Sequence, residues 1–382
     1  MAVENSPLTE SSMKEPPSNL KDVAKVFLKL GIIGFGGPAA HIAMMQDEVV
    51  KKKKWLTQEH FLDLIGATNL IPGPNSTEMA MHCGHERAGW KGLVVAGLCF
   101  ITPAVIITAF FAWAYKLYGS LPEVTPFIYG IKPAIIAVVL SVMINLGEKA
   151  LKNVELWCIG IVCAIASLVG VNEIVVLFGG GIIGIFYYIV KSKQNTTVNS
   201  ILPLAVLQPS NLKIFWIFLK VGSILYGSGY VLFAFLDTEL VKTGLLSRKE
   251  LIDAIAVGQF TPGPVFSSAT FIGWQIAGLP GAMAATVGIF LPSFLFVALL
   301  NPIIPRLRKS KIMAVFLDTV NVASVAIILS ICVEMGRDSI QDWRTITIAL
   351  ISLIVTFIYK KLNTAFIVVG GGILGYVLYL IP

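Results

Sequence analysis

Charge is what this sequence has least of. Only 13 % of its 382 residues are Asp, Glu, Lys or Arg against 56 % hydrophobic ones, and a mean hydropathy of +0.80 excludes an ordinary soluble domain. Nucleotide-binding sequence is missing as well: no GxxxxGK[ST] occurs, and the glycine runs lie inside apolar stretches instead of between a strand and a helix. The five cysteines, Cys83, Cys99, Cys158, Cys163 and Cys332, form neither a CxxC redox pair nor a zinc half-site. They read as small buried hydrophobes, and no metal or other cofactor is expected. All four histidines, His41, His60, His82 and His85, fall in the first half, so no catalytic triad can be assembled. The opening residues up to Asn19 are polar, with no apolar core, and predict a disordered tail over 1–20 rather than a signal peptide.

What remains is a polytopic all-α membrane protein. Twelve apolar segments can be drawn, near 22–45, 59–82, 89–117, 124–146, 154–169, 172–190, 211–236, 249–272, 278–300, 312–335, 345–359 and 363–381. A net charge of +7 would hint at nucleic acid in a soluble chain. Here the basic residues sit in short loops, where they set topology, and no nucleic-acid partner is expected.

The polar stretch 191–210 separates two halves, 21–190 and 211–382, that repeat each other. Phe27-Leu28-Lys29 returns as Phe218-Leu219-Lys220, and Gly31, Gly36 and Glu48 as Gly222, Gly227 and Glu239. Pro72-Gly73-Pro74 returns as Pro262-Gly263-Pro264, Pro103 as Pro292, and Gly179-Gly180-Gly181 with Gly184 as Gly370-Gly371-Gly372 with Gly375. If the proline-broken second segment dips in and returns, each half crosses about five times and the halves are inverted. Placing Lys51 to Lys54 in the cytoplasm puts most loop charges there, including Lys149, Lys152, Lys193, Arg306, Arg308, Lys309, Lys360 and Lys361. The tail, with Lys14, Lys21 and Lys25, would then lie outside, against the rule.

Proline and glycine together break a helix, and in lipid a broken backbone is tolerated only where protein or a cavity satisfies it. A helix starting after Pro74 would offer unpaired N–H groups and a partial positive charge beside Asn75, Ser76 and Thr77, which suits an anion. In the second copy Val265 and Phe266 come first and Ser267 follows. The bland alternative is a pair of packing kinks. Lys29 and Lys220 recur within apolar runs, where they either pair with a dianion or snorkel to the interface. Gly36, Gly37 and Gly227 belong to glycine clusters that pack helices closely or bare N–H groups to a ligand. His41, Glu78 and His82 are candidates for coupling or gating, and Glu48 and Glu239 for helix termination or salt bridging.

Gly34-Phe35-Gly36-Gly37-Pro38 with His41, then Glu48, Trp55, Pro72-Gly73-Pro74-Asn75-Ser76-Thr77-Glu78 and Phe100-Ile101-Thr102-Pro103, resemble the chromate ion transporter family in its long, two-domain form. Gly258-Gln259-Phe260-Thr261-Pro262-Gly263-Pro264 and Phe290-Leu291-Pro292-Ser293 are similar to its second domain. The resemblance implies antiparallel domains in the inner membrane and chromate export, with sulfate as the related oxyanion. With no nucleotide-binding motif, the reading is a secondary oxyanion transporter; because Asn75-Ser76-Thr77-Glu78 is polar where Val265-Phe266 is not, the first-half tip is expected to hold most ligand contacts while the second acts as gate or wall, and a homodimer is a further expectation. A transporter of another anion is the alternative within the class. A membrane-embedded enzyme with Glu78 and His82 as acid and base is the alternative outside it, and the duplication argues against it because catalysis does not call for two equivalent broken helices.

Overall fold

The computed structural model describes residues 20–119, 121, 123–192, 211–226, 229, 231–300, 310–359 and 362–380. The expected tail up to 19, nearly all of the 191–210 stretch, Gly227, and the loop charges Lys14, Lys193, Arg306, Arg308, Lys309, Lys360 and Lys361 lie outside these. Among the described residues there are fourteen α-helices and no strand.

The first half begins with α1 (Leu20–Ile33) and α2 (Gly37–Met45), which runs into a π-helical turn, Gln46–Lys52. Then come α3 (Gln58–Thr68), α4 (Asn75–Tyr118), α5 (Thr125–Ala150), α6 (Val154–Leu168) and α7 (Glu173–Ser192). The second half repeats this order with α8 (Asn211–Ile224), α9 (Val231–Leu236) and its π-helical turn Asp237–Val241, α10 (Arg248–Phe260), α11 (Ser268–Leu300), α12 (Lys311–Ser339), α13 (Trp343–Ile358) and α14 (Thr364–Tyr379). Five helices, α4, α5, α7, α11 and α12, are long and apolar enough to cross a membrane.

Two apolar stretches that look continuous in sequence are bent. The stretch 22–45 breaks at Gly34 to Gly36, and Lys29 Nζ on α1 lies 3.0 Å from Glu48 Oε2 in the π-helical turn. Nineteen residues of unbroken helix would hold their backbones about 28 Å apart, so the chain doubles back there. The stretch 59–82 breaks at Pro72-Gly73-Pro74 and returns. His60, in the first turn of α3, is 3.0 Å from Glu86, and Arg87 stacks on Trp55 at 5.4 Å. Entry and exit therefore share one side, and the tip is the Pro-Gly-Pro. A second sharp bend follows at Ala88 and Gly89, after which the long arm of α4 departs. The same bend recurs in α11 at Ala277 and Gly278, where the Thr270 and Thr286 hydroxyls, sixteen residues apart, meet at 2.7 Å.

The halves are inverted. Helices α5 and α12 occupy equivalent places in the repeat and pack together. The end of α5 meets the beginning of α12: Lys152 Nζ lies 2.8 Å from Asp318 and Gly147 faces Val325. Equivalent helices that pack antiparallel are related by a two-fold axis across them, which lies in the membrane plane. The recurring glycines lock this arrangement. Gly371 and Gly375 of α14 bring their backbone onto Gly130 of α5, and Gly181 and Gly184 of α7 sit against Phe316 and Thr319 of α12. The last helix of each half thus packs on the other half, at a separation only glycine permits.

One pair of symmetry-related contacts differs between the halves. Gln46 donates to Gln58 at 2.8 Å, joining the first bent unit to α3. At the equivalent positions Arg248 forms two 2.9 Å bonds to the carboxylate of Asp237, which is buried, and also reaches Glu334. Removing the guanidinium leaves a buried carboxylate unpaired, whereas the exposed amide pair is replaceable by water. Arg248→Ala is expected to cost about 3 kcal/mol and Gln58→Ala no more than about 0.5 kcal/mol, as measured by unfolding of each purified variant in detergent.

Candidate substrate site at the interlocked tips

The two Pro-Gly-Pro tips meet the other half through backbone hydrogen bonds. The Gly73 N–H donates to the Leu225 carbonyl at 2.8 Å, and the Gly263 N–H donates to the Gly34 carbonyl at 2.7 Å. Gly73 and Gly263 are equivalent, and so are Gly34 and Leu225, so each tip is clasped by the glycine-rich break of the opposite half. Unwound backbone in lipid must find such partners. Pro72, Gly73 and Pro74, like Pro262, Gly263 and Pro264, are buried.

Around the first tip, Gly73 adopts a φ of +136°, and a Cβ there would lie 2.4 Å from Glu78 Oε1 and 2.5 Å from Ser293 Oγ. Pro74 precedes the first turn of α4, and the N–H groups of Thr77 and Glu78 bond back to the Pro74 carbonyl. Asn75 is half-buried and donates its amide to Asn69 at 3.0 Å. Asn69 itself is exposed. Ser76 and Thr77 are buried, and Thr77 Oγ1 has no hydrogen-bond partner. Glu78 is wholly buried; Ser293, from α11 of the other half, donates to its Oε1 at 3.2 Å, while Oε2 is unpartnered. His82, one turn further along α4, is buried with both ring nitrogens unpartnered. His41 is buried, its Nε2 is 2.9 Å from the Gly34 carbonyl and its ring stands edge-on to Phe100.

The second tip is drier. Gly263, at a φ of +93°, faces Ala104 where Gly73 faces Ser293. Ser267 accepts a 3.2 Å bond from Thr108, and Ser268 stands where the first half has Glu78. At the position of exposed Asn69 the second half has the buried Gln259.

Not every candidate residue reaches the tips. Lys29 and Lys220 are each held by an acid from the same repeat, Glu48 at 3.0 Å and Glu239 at 2.6 Å, with their side chains 51 % and 49 % exposed. The bond from Lys29 holds the Glu48 carboxyl below the ordinary glutamate range. Gly36 and Gly37 take φ values of +101° and +78° at the uncapped start of α2, where Gly36 is exposed.

Two groups of residues escaped the sequence reading. Ser293 was visible only as part of a Pro-Ser pair, because nothing local says that it will face a glutamate 215 positions earlier. A second polar cluster joins the halves between α4, α5 and α10: Tyr115 donates to Asp253 at 2.6 Å, and Lys132 lies 3.9 Å from the same buried carboxylate. Its one local signal is a lysine seven residues into an apolar helix.

With a positive φ and a carboxyl in the place of any side chain, Gly73 cannot be replaced without moving the tip. Gly73→Ala is expected to lose at least about 2 kcal/mol of stability and to disrupt the Glu78–Ser293 contact. Unfolding in detergent would measure the first, and the reactivity of a cysteine placed at Ser293 the second.

The chromate transporter family model matches the chain twice, over residues 21–185 and 212–376. A chromate transport protein of Cupriavidus metallidurans is 30% identical over 378 residues, covering 95% of this chain and 94% of its own length. A probable chromate transport protein of Synechococcus elongatus is 30% identical, with 95% and 97% covered. One from Pseudomonas aeruginosa is 26% identical, with 95% and 94% covered. No solved structure matches. With its bent helices, inverted halves and paired matches, this multi-pass membrane protein belongs to the chromate transporter family.

Proposed function

We propose that the protein is a secondary transporter that exports a tetrahedral oxyanion, chromate first and sulfate as its relative, and so confers chromate resistance. The observation that carries this reading is the pair of inverted, broken tips, each bonded to the break of the other half. Such pairs serve alternating access around one central site. The relatives named chromate transport proteins supply the substrate class.

The first tip is the principal anion site. The start of α4 carries the partial positive end of a helix, and Asn75, Ser76 and Thr77 add an amide and two hydroxyls. Access comes from the exposed Asn69 side. Pro72, Gly73 and Pro74 hold that start in place, while Gly36 and Gly37 offer bare N–H groups at the start of α2, next to the Gly34 break that holds the second tip. In the second half Pro262, Gly263, Pro264 and Ser267 form the opposing wall. Lys29 and Lys220 compensate the dianion from outside the tips. A dianion competes with Glu48 or Glu239 for the same ammonium, so its passage exchanges one ion pair for another.

The purified protein in proteoliposomes is expected to take up chromate above the level of empty liposomes, with sulfate competing. Asn75→Ala, Lys29→Ala and Lys220→Ala are each expected to lower that uptake about tenfold or more, the loss of one charge-assisted contact. Uptake of chromate and sulfate no faster than in empty liposomes would overturn the proposal. Uptake of a different anion alone, in a panel of labelled anions, would replace the substrate while keeping the transporter.

A further inference from the structure

Glu78 has no structural work that requires an acid. The side chain is wholly buried, and one oxygen has a single donor, Ser293 Oγ. The other oxygen has no partner, and among the described residues no Lys or Arg lies within ion-pair distance. The groups that face it from each neighbouring element are few. Ser293 comes from α11, the Tyr226 phenol lies within electrostatic reach from the break after α8, and His82 follows on the same helix. None of these neutralises a carboxylate. An unpaired carboxylate in such a place is far costlier than a carboxylic acid, because an unpaired neutral hydroxyl costs much less to bury than an unpaired charge.

Position adds the second observation. The acid sits against Gly73, whose N–H holds the Leu225 carbonyl of the other half. Its hydroxyl donor also belongs to the other half. Ionising Glu78 would draw the carboxylate toward water and pull on both cross-half contacts at once. The two-fold copy lacks the device, since Ser268 replaces the acid and Ala104 replaces Ser293. One chain therefore carries one such group.

We infer that Glu78 is a proton-binding site, protonated in this conformation, and that its proton travels with the anion held at the neighbouring start of α4. This rests on the transport reading above. A dianion beside the tip opposes ionisation of Glu78, so anion and proton favour each other's binding, and by linkage the effect is reciprocal. The proton binds Oε2 from water on the loading side and leaves from the same oxygen on the other. The loaded site then moves one proton and one dianion, a net charge of −1, which an inside-negative potential drives outward.

The test uses the full-length protein, reconstituted, with chromate as the probe. An acid-outside gradient of one pH unit is expected to drive up to about tenfold accumulation in the wild type, the limit for one proton per anion. E78Q copies the protonated form, so it is expected to fold. Its chromate exchange should fall by less than about tenfold, while accumulation driven by the gradient disappears. S293A should keep the gradient response and shift its midpoint pH. Gradient-driven accumulation that survives in E78Q would overturn the coupling role. A second readout does not depend on chromate movement. Infrared difference spectra at neutral pH are expected to contain a protonated-carboxyl C=O band that is missing in E78Q and shifted in S293A. A carboxylate band in its place would overturn the proton site. If the band is present and the wild type carries no chromate, the proton site stands and the transport reading falls.

Discussion

Backbone hydrogen bonds that lipid cannot replace are the constraint on which the rest of this structure depends. Each half breaks its chain at two places, a glycine-rich bend and a Pro-Gly-Pro tip. In water the freed N–H and C=O groups would be solvated; at membrane depth they must find protein. They find each other across the two-fold, Gly73 with Leu225 and Gly263 with Gly34. Each tip is satisfied by the other half, so the pairing of two halves is a structural requirement.

Bringing two unwound segments together demands close helix approach nearby. Gly31 lets α1 lie on the carbonyl of Phe100, and Gly222 does the same against Ile289. Further out, the glycines of α7 and α14 let each half's last helix lie on the other half's long helix. No hydrophobic force distinguishes helix from lipid, and the packing gained at these small-residue contacts holds the halves together.

Within this frame the halves have diverged where it matters chemically. The first half keeps an exposed Asn69, a polar start to α4 and a buried acid. The second offers Gln259, Val265 and Ser268 at the same places, and fixes its bent unit with Arg248 and Asp237 where the first uses two glutamines. One tip is polar and the other dry, and that difference follows from side chains alone because the backbone is shared.

The membrane class, the duplication and the two breaks were legible in the sequence, since hydropathy, a repeat offset and Pro-Gly-Pro are local or periodic signals. The family could be read from Gly34-Phe35-Gly36-Gly37-Pro38 and the residues after Pro72 for the same reason. The structure placed Lys29 and Lys220 beside Glu48 and Glu239, acids that the sequence aligned with one another yet gave no means of pairing to the lysines. It also set Ser293 against Glu78 and joined Tyr115, Lys132 and Asp253. Sequence by itself determined where the chain must break, because proline and glycine act on their own backbone. Which buried groups meet across those breaks was decided by the inverted packing of the halves, because a contact between residues 215 positions apart has no local cause.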